Sequence, residues 1–305
     1  MSGAPAQPDN LRGALWMLGS ALGFTAMTVL IKFLGDDYPA TLQTFYRQAA
    51  GLVVLLPIII QRRGAAFATT RPGILFFRSA AGTLGMILSF YAFQEMPLAD
   101  ANALSFTRTL WLVPLAAFVV RETVGPLRIG AALVGFLGVL LMVRPGAGGE
   151  FALGLPALAM LAASFLFALT ITGMKVMTRD HSPTVLLVWS VTLGFVLSIP
   201  GAFFSWRWPE PVDLGLLCAM GVLGTITQAC YIKGMQQGDA AAMAPIDYTR
   251  LVFSAAAGFL LFSEIPSAWT LAGAGVVVAS TLFITIREQR LARSAKLSAV
   301  PEREA

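Results

Sequence analysis

Two stretches decide how this chain folds: Ala103-Leu104-Ser105-Phe106-Thr107-Arg108 and Pro245-Ile246-Asp247-Tyr248-Thr249-Arg250. Each sets an arginine about nine or ten residues inside an apolar segment and keeps Thr-Arg after an aromatic residue, and 142 positions separate them. An arginine at the centre of a bilayer costs roughly 2.5–3.5 kcal/mol on insertion scales, so it faces a bundle interior or a wet cavity rather than lipid. Four arginines lie in such stretches, and a matched pair among them implies an internal duplication with a polar path at its centre.

The rest of the composition agrees. Of 305 residues, 57% are hydrophobic and only 12% charged, and the mean hydropathy is +0.75. Soluble domains carry about 25% charged residues. Ten spans of about 20 residues would use roughly 200 positions and leave no room for a sizeable soluble domain. The net charge of +5 does not indicate nucleic acid, because the cations sit in short connections and at the C-terminus. Cys218 and Cys230 fall in one predicted helix, about 18 Å apart, and cannot bridge each other. With His181 as the only histidine, a histidine-based zinc site or a Ser/His/Asp triad has little support. The polar segment Met1–Asn10 lacks the basic region and cleavage site of a signal peptide.

Apolar runs and breakers place spans near 12–34, 40–60, 73–95, 99–120 and 125–144, then near 153–176, 183–206, 213–235, 240–262 and 267–287. With the N-terminus in the cytoplasm, 13 Lys and Arg fall in inner connections and tails, among them Arg62, Arg63, Arg71, Arg121, Arg128, Arg179 and Lys233. The outer side keeps Arg144 and Arg207, with Lys32 at the border. That asymmetry predicts both termini inside and an even number of spans.

The two halves align. Gly82-Thr83-Leu84-Gly85 matches Gly221-Val222-Leu223-Gly224, and Met96 and Asp100 match Met235 and Asp239. Phe24 and Lys32 match Phe167 and Lys175, and Glu122 matches Glu264. Five spans per half is an odd number, so the second half enters the membrane from the opposite side. The expected fold is therefore an all-α integral membrane protein, ten transmembrane helices in two inverted five-helix repeats. The organisation is a tail at 1–11, repeats at 12–147 and 148–288, and a basic tail at 289–305. Transporters with such repeats often bind substrate near the midplane, where the halves meet.

Several further stretches carry a resemblance. They are Phe45-Tyr46-Arg47, Tyr91-Ala92-Phe93, Met96-Pro97-Leu98-Ala99-Asp100-Ala101, Glu122, and Pro245 through Phe253 with Gly258, Phe262 and Glu264-Ile265-Pro266 after it. Across residues 11–288 the chain resembles the EamA family of the drug/metabolite transporter superfamily. The second-half run is similar in particular to the branch described as S-adenosylmethionine or riboflavin uptake carriers. That resemblance implies a secondary transporter of a small organic metabolite in a bacterial-type cytoplasmic (inner) membrane, working by alternating access. A zwitterion with an anionic group, such as S-adenosylmethionine, is the first candidate. Riboflavin, or an amino-acid or drug metabolite carried by the same family, is the alternative. A lipid-head-group flippase or an intramembrane enzyme ranks lower, the latter because no catalytic constellation is present. No G-x-x-x-x-G-K-[ST] sequence occurs, so ATP is not expected to drive the chain. The expected partners are a small molecule and membrane lipids, without nucleic acid, cofactor or metal.

Helical spacing gathers the polar residues into faces. Ser105, Arg108, Trp111 and Leu112 share one on span four, and Asp247, Arg250 and Ser254 share one on span nine. Gln43, Thr44 and Arg47 share one on span two, and Thr25, Thr28 and Lys32 one on span one. Arg108 and Arg250 are the leading substrate contacts, because a guanidinium stays charged and offers five donors to a carboxylate or phosphate. The competing reading is an ion pair that locks the halves, such as Asp247 with Arg250 at i, i+3. Pro245 should free the carbonyl of Ala241 and kink span nine beside Asp247. The candidate substrate contacts are Arg47, Tyr91, Ser105, Arg108, Trp111, Tyr231, Asp247, Tyr248 and Arg250. Tyr46 and Trp189 are further aromatics able to stack on a ring, while Glu122 and Glu264 read as caps or loop anchors. Gly82, Gly85, Gly221 and Gly224, with Gly130, Gly135 and Gly138, read as close helix contacts.

Overall fold

The structure, a computed structural model, describes residues 9–119, 125–143, 154–177, 183–237, 243 and 246–298. Glu122, Arg121, Arg144, Arg179, His181, Asp239 and Pro245, with the kink expected at it, lie outside the described residues, as do the ends of both tails.

Among the described residues the chain is helical and has no strand. Its helices are α1 (Asn10–Phe33), α2 (Ala40–Arg62), α3 (Pro72–Glu95), α4 (Leu98–Ser105), α5 (Thr107–Phe118), α6 (Pro126–Val143), α7 (Leu155–Met177), α8 (Pro183–Phe204), α9 (Pro211–Gln237), α10 (Thr249–Phe262) and α11 (Ala268–Ser298). Seven of them are long and apolar enough to cross a membrane. The α4–α5 pair, α6 and α10 stand at the three remaining predicted spans. Two boundaries differ from expectation. The last helix runs on through Ser298, so most of the basic tail expected from residue 289 is helical. Span four is two helices, not one.

The break in span four has a local cause. At Phe106 (φ −69°, ψ −16°) the ladder tightens to i, i+3 bonds, Phe106 N–H to Ala103 O at 3.2 Å and Thr109 N–H to Phe106 O at 3.0 Å. The Thr107 hydroxyl donates to Leu104 O, and Ser164 on α7 donates to both Leu104 O and Ser105 O. Carbonyls lost from the helical ladder are thus answered by hydroxyls, which is how a helix breaks inside a bilayer without orphaned groups. The same arrangement recurs 142 residues on: Tyr248 (φ −73°, ψ −11°) precedes α10, Leu251 N–H donates to Tyr248 O, and the Thr249 hydroxyl donates to Ile246 O.

Helix α1 packs on α9, α3 on α7, α2 on both α8 and α9, and α6 on α11, while α10 crosses α1 and α4. Several of the small residues sit at these contacts. A Cβ on Gly221 would lie 2.5 Å from that of Ala50, and one on Gly85 would lie 3.2 Å from Leu166 Cβ. Gly130 faces open space, so helix contact does not explain it.

On two of the expected polar faces the threonines and the glutamine are structural. Thr25, Thr28 and Thr44 return their hydroxyls to carbonyls of their own helices. Gln43, fully buried, donates to Ile31 O and Tyr38 O and so ties α2 to the end of α1. Cys218 and Cys230 are free thiols.

Candidate functional site

The two breaks meet. Phe106 and Tyr248, the matched aromatics of the two stretches, bring their ring centroids to 4.7 Å at an interplanar angle of 49°. Just beyond them lies Arg250, only 7% exposed, with its guanidinium carbon 4.2 Å from the centroid of Phe106 and 4.8 Å from that of Phe24. Phe24 in turn stands edge-on to Phe93 at 6.1 Å. Two aromatic faces thus hold the cation, each such contact contributing about 0.5–2 kcal/mol once water is excluded.

Arg250 has few polar partners. One Nη donates to Ser105 Oγ at 3.4 Å, and its Nε is buried with no acceptor among the described residues. The competing reading, an ion pair with Asp247, does not close: no carboxylate of the described residues comes within salt-bridge distance of Arg250. Asp247, Arg108, Tyr231 and Tyr248 nevertheless all act on its charge. Tyr231, on α9, feels Asp247, Arg108 and Arg250 in the same way. Arg108 is half-buried, and the Tyr248 hydroxyl hydrogen-bonds that of Thr281 on α11. Two guanidinia and one carboxylate leave the cluster with one net positive charge. A neighbouring buried acceptor, Asn102 Oδ1, also has no partner among the described residues.

Of the candidate contacts, Ser105, Arg108, Tyr231, Asp247, Tyr248 and Arg250 come together. Three do not join them. Trp111 is held edge-on by Phe136 and Phe165 at 4.7 and 5.3 Å. Tyr91 packs on the apolar core. Arg47 is half-buried and apart from that centre, its Nη1 against Met86 Sδ and its guanidinium 6.0 Å from Phe90. Gly224 leaves it space: a Cβ there would lie 3.0 Å from Arg47 Nε. Tyr46 belongs to an aromatic group with Phe45 and Trp206, and Trp189 donates to Phe67 O. The reading by helical faces passed over Phe24 and Phe106, which carry no polar atom, and Arg78. This last arginine, 7% exposed on α3, donates to the Ser190 hydroxyl on α8.

Broken spans facing each other across a cationic, aromatic centre suit a carrier, and comparison with known proteins agrees. The EamA-like transporter family matches residues 11–144 and again residues 154–286. The chain belongs to that family. It is therefore a multi-pass membrane transporter and not an enzyme. An S-adenosylmethionine uptake transporter of Rickettsia bellii is 30% identical over 278 residues, covering 91% of this chain and 94% of its own. The riboflavin transporter of Vibrio cholerae is 27% identical, covering 93% of this chain and 96% of its own. The pseudopaline exporter CntI of Pseudomonas aeruginosa is 25% identical, covering 90% and 95%. A protein of known crystal structure superposes with a TM-score of 0.59 at 20% identity, over 90% of this chain and 98% of its own, which establishes the shared fold.

Proposed function

We propose that this EamA-family protein is an alternating-access carrier of a zwitterionic metabolite, and that the anionic group of the substrate meets Arg250 and Arg108. The observation that carries this reading is the state of Arg250: buried, stacked between Phe24 and Phe106, and short of an anionic partner. A net positive centre with an acid beside it suits a molecule carrying a carboxylate and a cationic group. Such a ligand would place its anion on the guanidinia and its cation near Asp247 or against Tyr248 and Tyr231. S-adenosylmethionine has these parts, together with an adenine ring able to stack, and relatives at about 30% identity carry that name. Riboflavin carries no charge and would leave both arginines unanswered, so it ranks second. Labelled S-adenosylmethionine is expected to enter cells expressing the protein and to be displaced by the unlabelled compound. Competition by riboflavin alone would reverse the ranking, and competition by neither would remove both substrates.

The reading includes inverted repeats in a cytoplasmic membrane with both termini inside. Its support is the recurrence of the helix break, the double match to one family, and the distribution of cations. Reporters fused after Ala305 and in the connection around Gly148 are expected on opposite sides of the membrane. Signals from the same side would overturn this topology.

A further inference from the structure

A second charged cluster lies where α1 ends and α4 begins. Lys32, near the end of α1, forms an ion pair with Glu264 and donates to Met96 O at 2.7 Å. The other carboxylate oxygen of Glu264 accepts the first N–H of α4, Leu98, at 2.8 Å. Backbone geometry puts Glu264 there. Ser263 closes α10 in the left-handed region (φ 56°, ψ 30°), and Glu264 N–H returns to Gly258 O at 3.0 Å. The carboxylate then folds over Gly258, where a Cβ would stand 2.8 Å from its oxygen. Three segments are pinned at one point: α1, the α3–α4 turn and the end of α10.

Asp100 lies behind this pin. It is 3% exposed, and its Oδ1 is buried without a partner among the described residues. Thr270, buried on α11 with its hydroxyl against that of Ser267, stands close enough to act on the Asp100 carboxylate. Among the described residues, the only charged groups acting on Asp100 are Lys32 from α1 and Glu264 from the segment after α10. Two carboxylates share one ammonium, so the fully ionised cluster holds one uncompensated negative charge away from water. Such a charge is costly, and a single proton removes it.

We propose that this cluster is a proton-binding latch that shuts one end of the transporter, with Asp100 Oδ1 as the proton acceptor. The inference rests on the alternating-access reading above. With Asp100 protonated, Lys32 and Glu264 form a balanced pair and the end closes. With Asp100 ionised, the second carboxylate competes for Lys32, the excess charge draws in water, and the segments part. Acid therefore closes this end and alkali opens it. The proton comes from the solution on that side when the latch is open, and returns to it when the latch reopens.

Spin labels on Phe33→Cys and Ile265→Cys, both exposed and flanking the latch, read its opening as a distance. The background carries Cys218→Ser and Cys230→Ser, and the full chain is measured in lipid nanodiscs between about pH 5 and about pH 8, the range in which a buried carboxylate titrates. The short distance should dominate in acid and a longer one should grow in alkali. Asp100→Asn should hold the short distance throughout, while Glu264→Gln should show the long one throughout. Thr270→Val removes the hydroxyl nearest the ionised form from α11 and should move the midpoint upward by about one pH unit. A distribution that does not change with pH would overturn the proposal, as would an Asp100→Asn response equal to that of the parent. If Asp100→Asn does not reconstitute, an unmoved midpoint in Thr270→Val has the same force. No transported molecule enters the measurement, so its failure leaves the substrate reading standing, and failure of uptake leaves the latch standing.

Discussion

Arg250→Gln should lower uptake of the transported zwitterion by about 100-fold, with the folded protein still present in the membrane. Glutamine keeps a hydrogen-bonding amide but loses the charge and most of the stacking on Phe24 and Phe106. Truncating one partner of a buried charged contact costs roughly 2–5 kcal/mol, and about 1.4 kcal/mol is a factor of ten. Arg250→Lys keeps the charge but not the planar fork. An ammonium bridges two ring faces poorly and binds a carboxylate through single contacts, so transport should fall here as well. Arg108 is half-buried and unstacked among the described contacts, so Arg108→Gln should appear mainly as a higher KM, and Arg108→Lys should recover more than Arg250→Lys. The measurement is initial uptake against substrate concentration, corrected for the amount of protein in the membrane. Unchanged KM and rate in all four variants would remove both arginines from the substrate site.

Much of this architecture was legible because lipid leaves so few options. A buried backbone must satisfy itself, so runs of about 20 apolar residues read as helices. An arginine in such a run must face inward, and the two Thr-Arg stretches led directly to Tyr248 and Arg250. The split of span four was not legible. The residues that break it, Ser105 and Thr107, are ordinary members of an apolar helix until Ser164, 59 positions away from Ser105, supplies the outside hydroxyl. Helical faces also left open what Trp111 and the threonines touch. Spacing says which residues share a side of a helix, but not whether a neighbour or the helix's own carbonyl occupies that side. Lys32, Asp100 and Glu264 each appeared in the alignment of the halves. Their meeting depends on a left-handed Ser263 and a missing side chain at Gly258, neither of which leaves a pattern in the surrounding sequence.

Gly273→Val should leave almost no folded protein, and Gly273→Ala should lower the melting temperature of the purified carrier by roughly 5 °C. Helices α6 and α11 touch backbone to backbone here. A Cβ on Gly273 would sit 2.5 Å from the carbonyl oxygen of Gly138 and 2.4 Å from Met142 Cγ, and one on Gly138 would sit 2.9 Å from the carbonyl oxygen of Gly273. The methionine side chain can turn away, but a helix carbonyl cannot. The two helices must therefore separate along their length and lose the dispersion contacts that hold membrane helices together, since lipid supplies no hydrophobic drive to press them back. Gly275, two residues on, has nothing within 4 Å of the added carbon. Gly275→Ala should consequently fall within about 1 °C of the parent, as a surface change does. Gly273 lies eight residues, about 12 Å along α11, from the Thr281 that holds Tyr248, so the Gly273→Ala protein that does fold should keep a KM close to the parental one. Equal melting shifts for the two alanine variants would mean that the close approach does not set this interface.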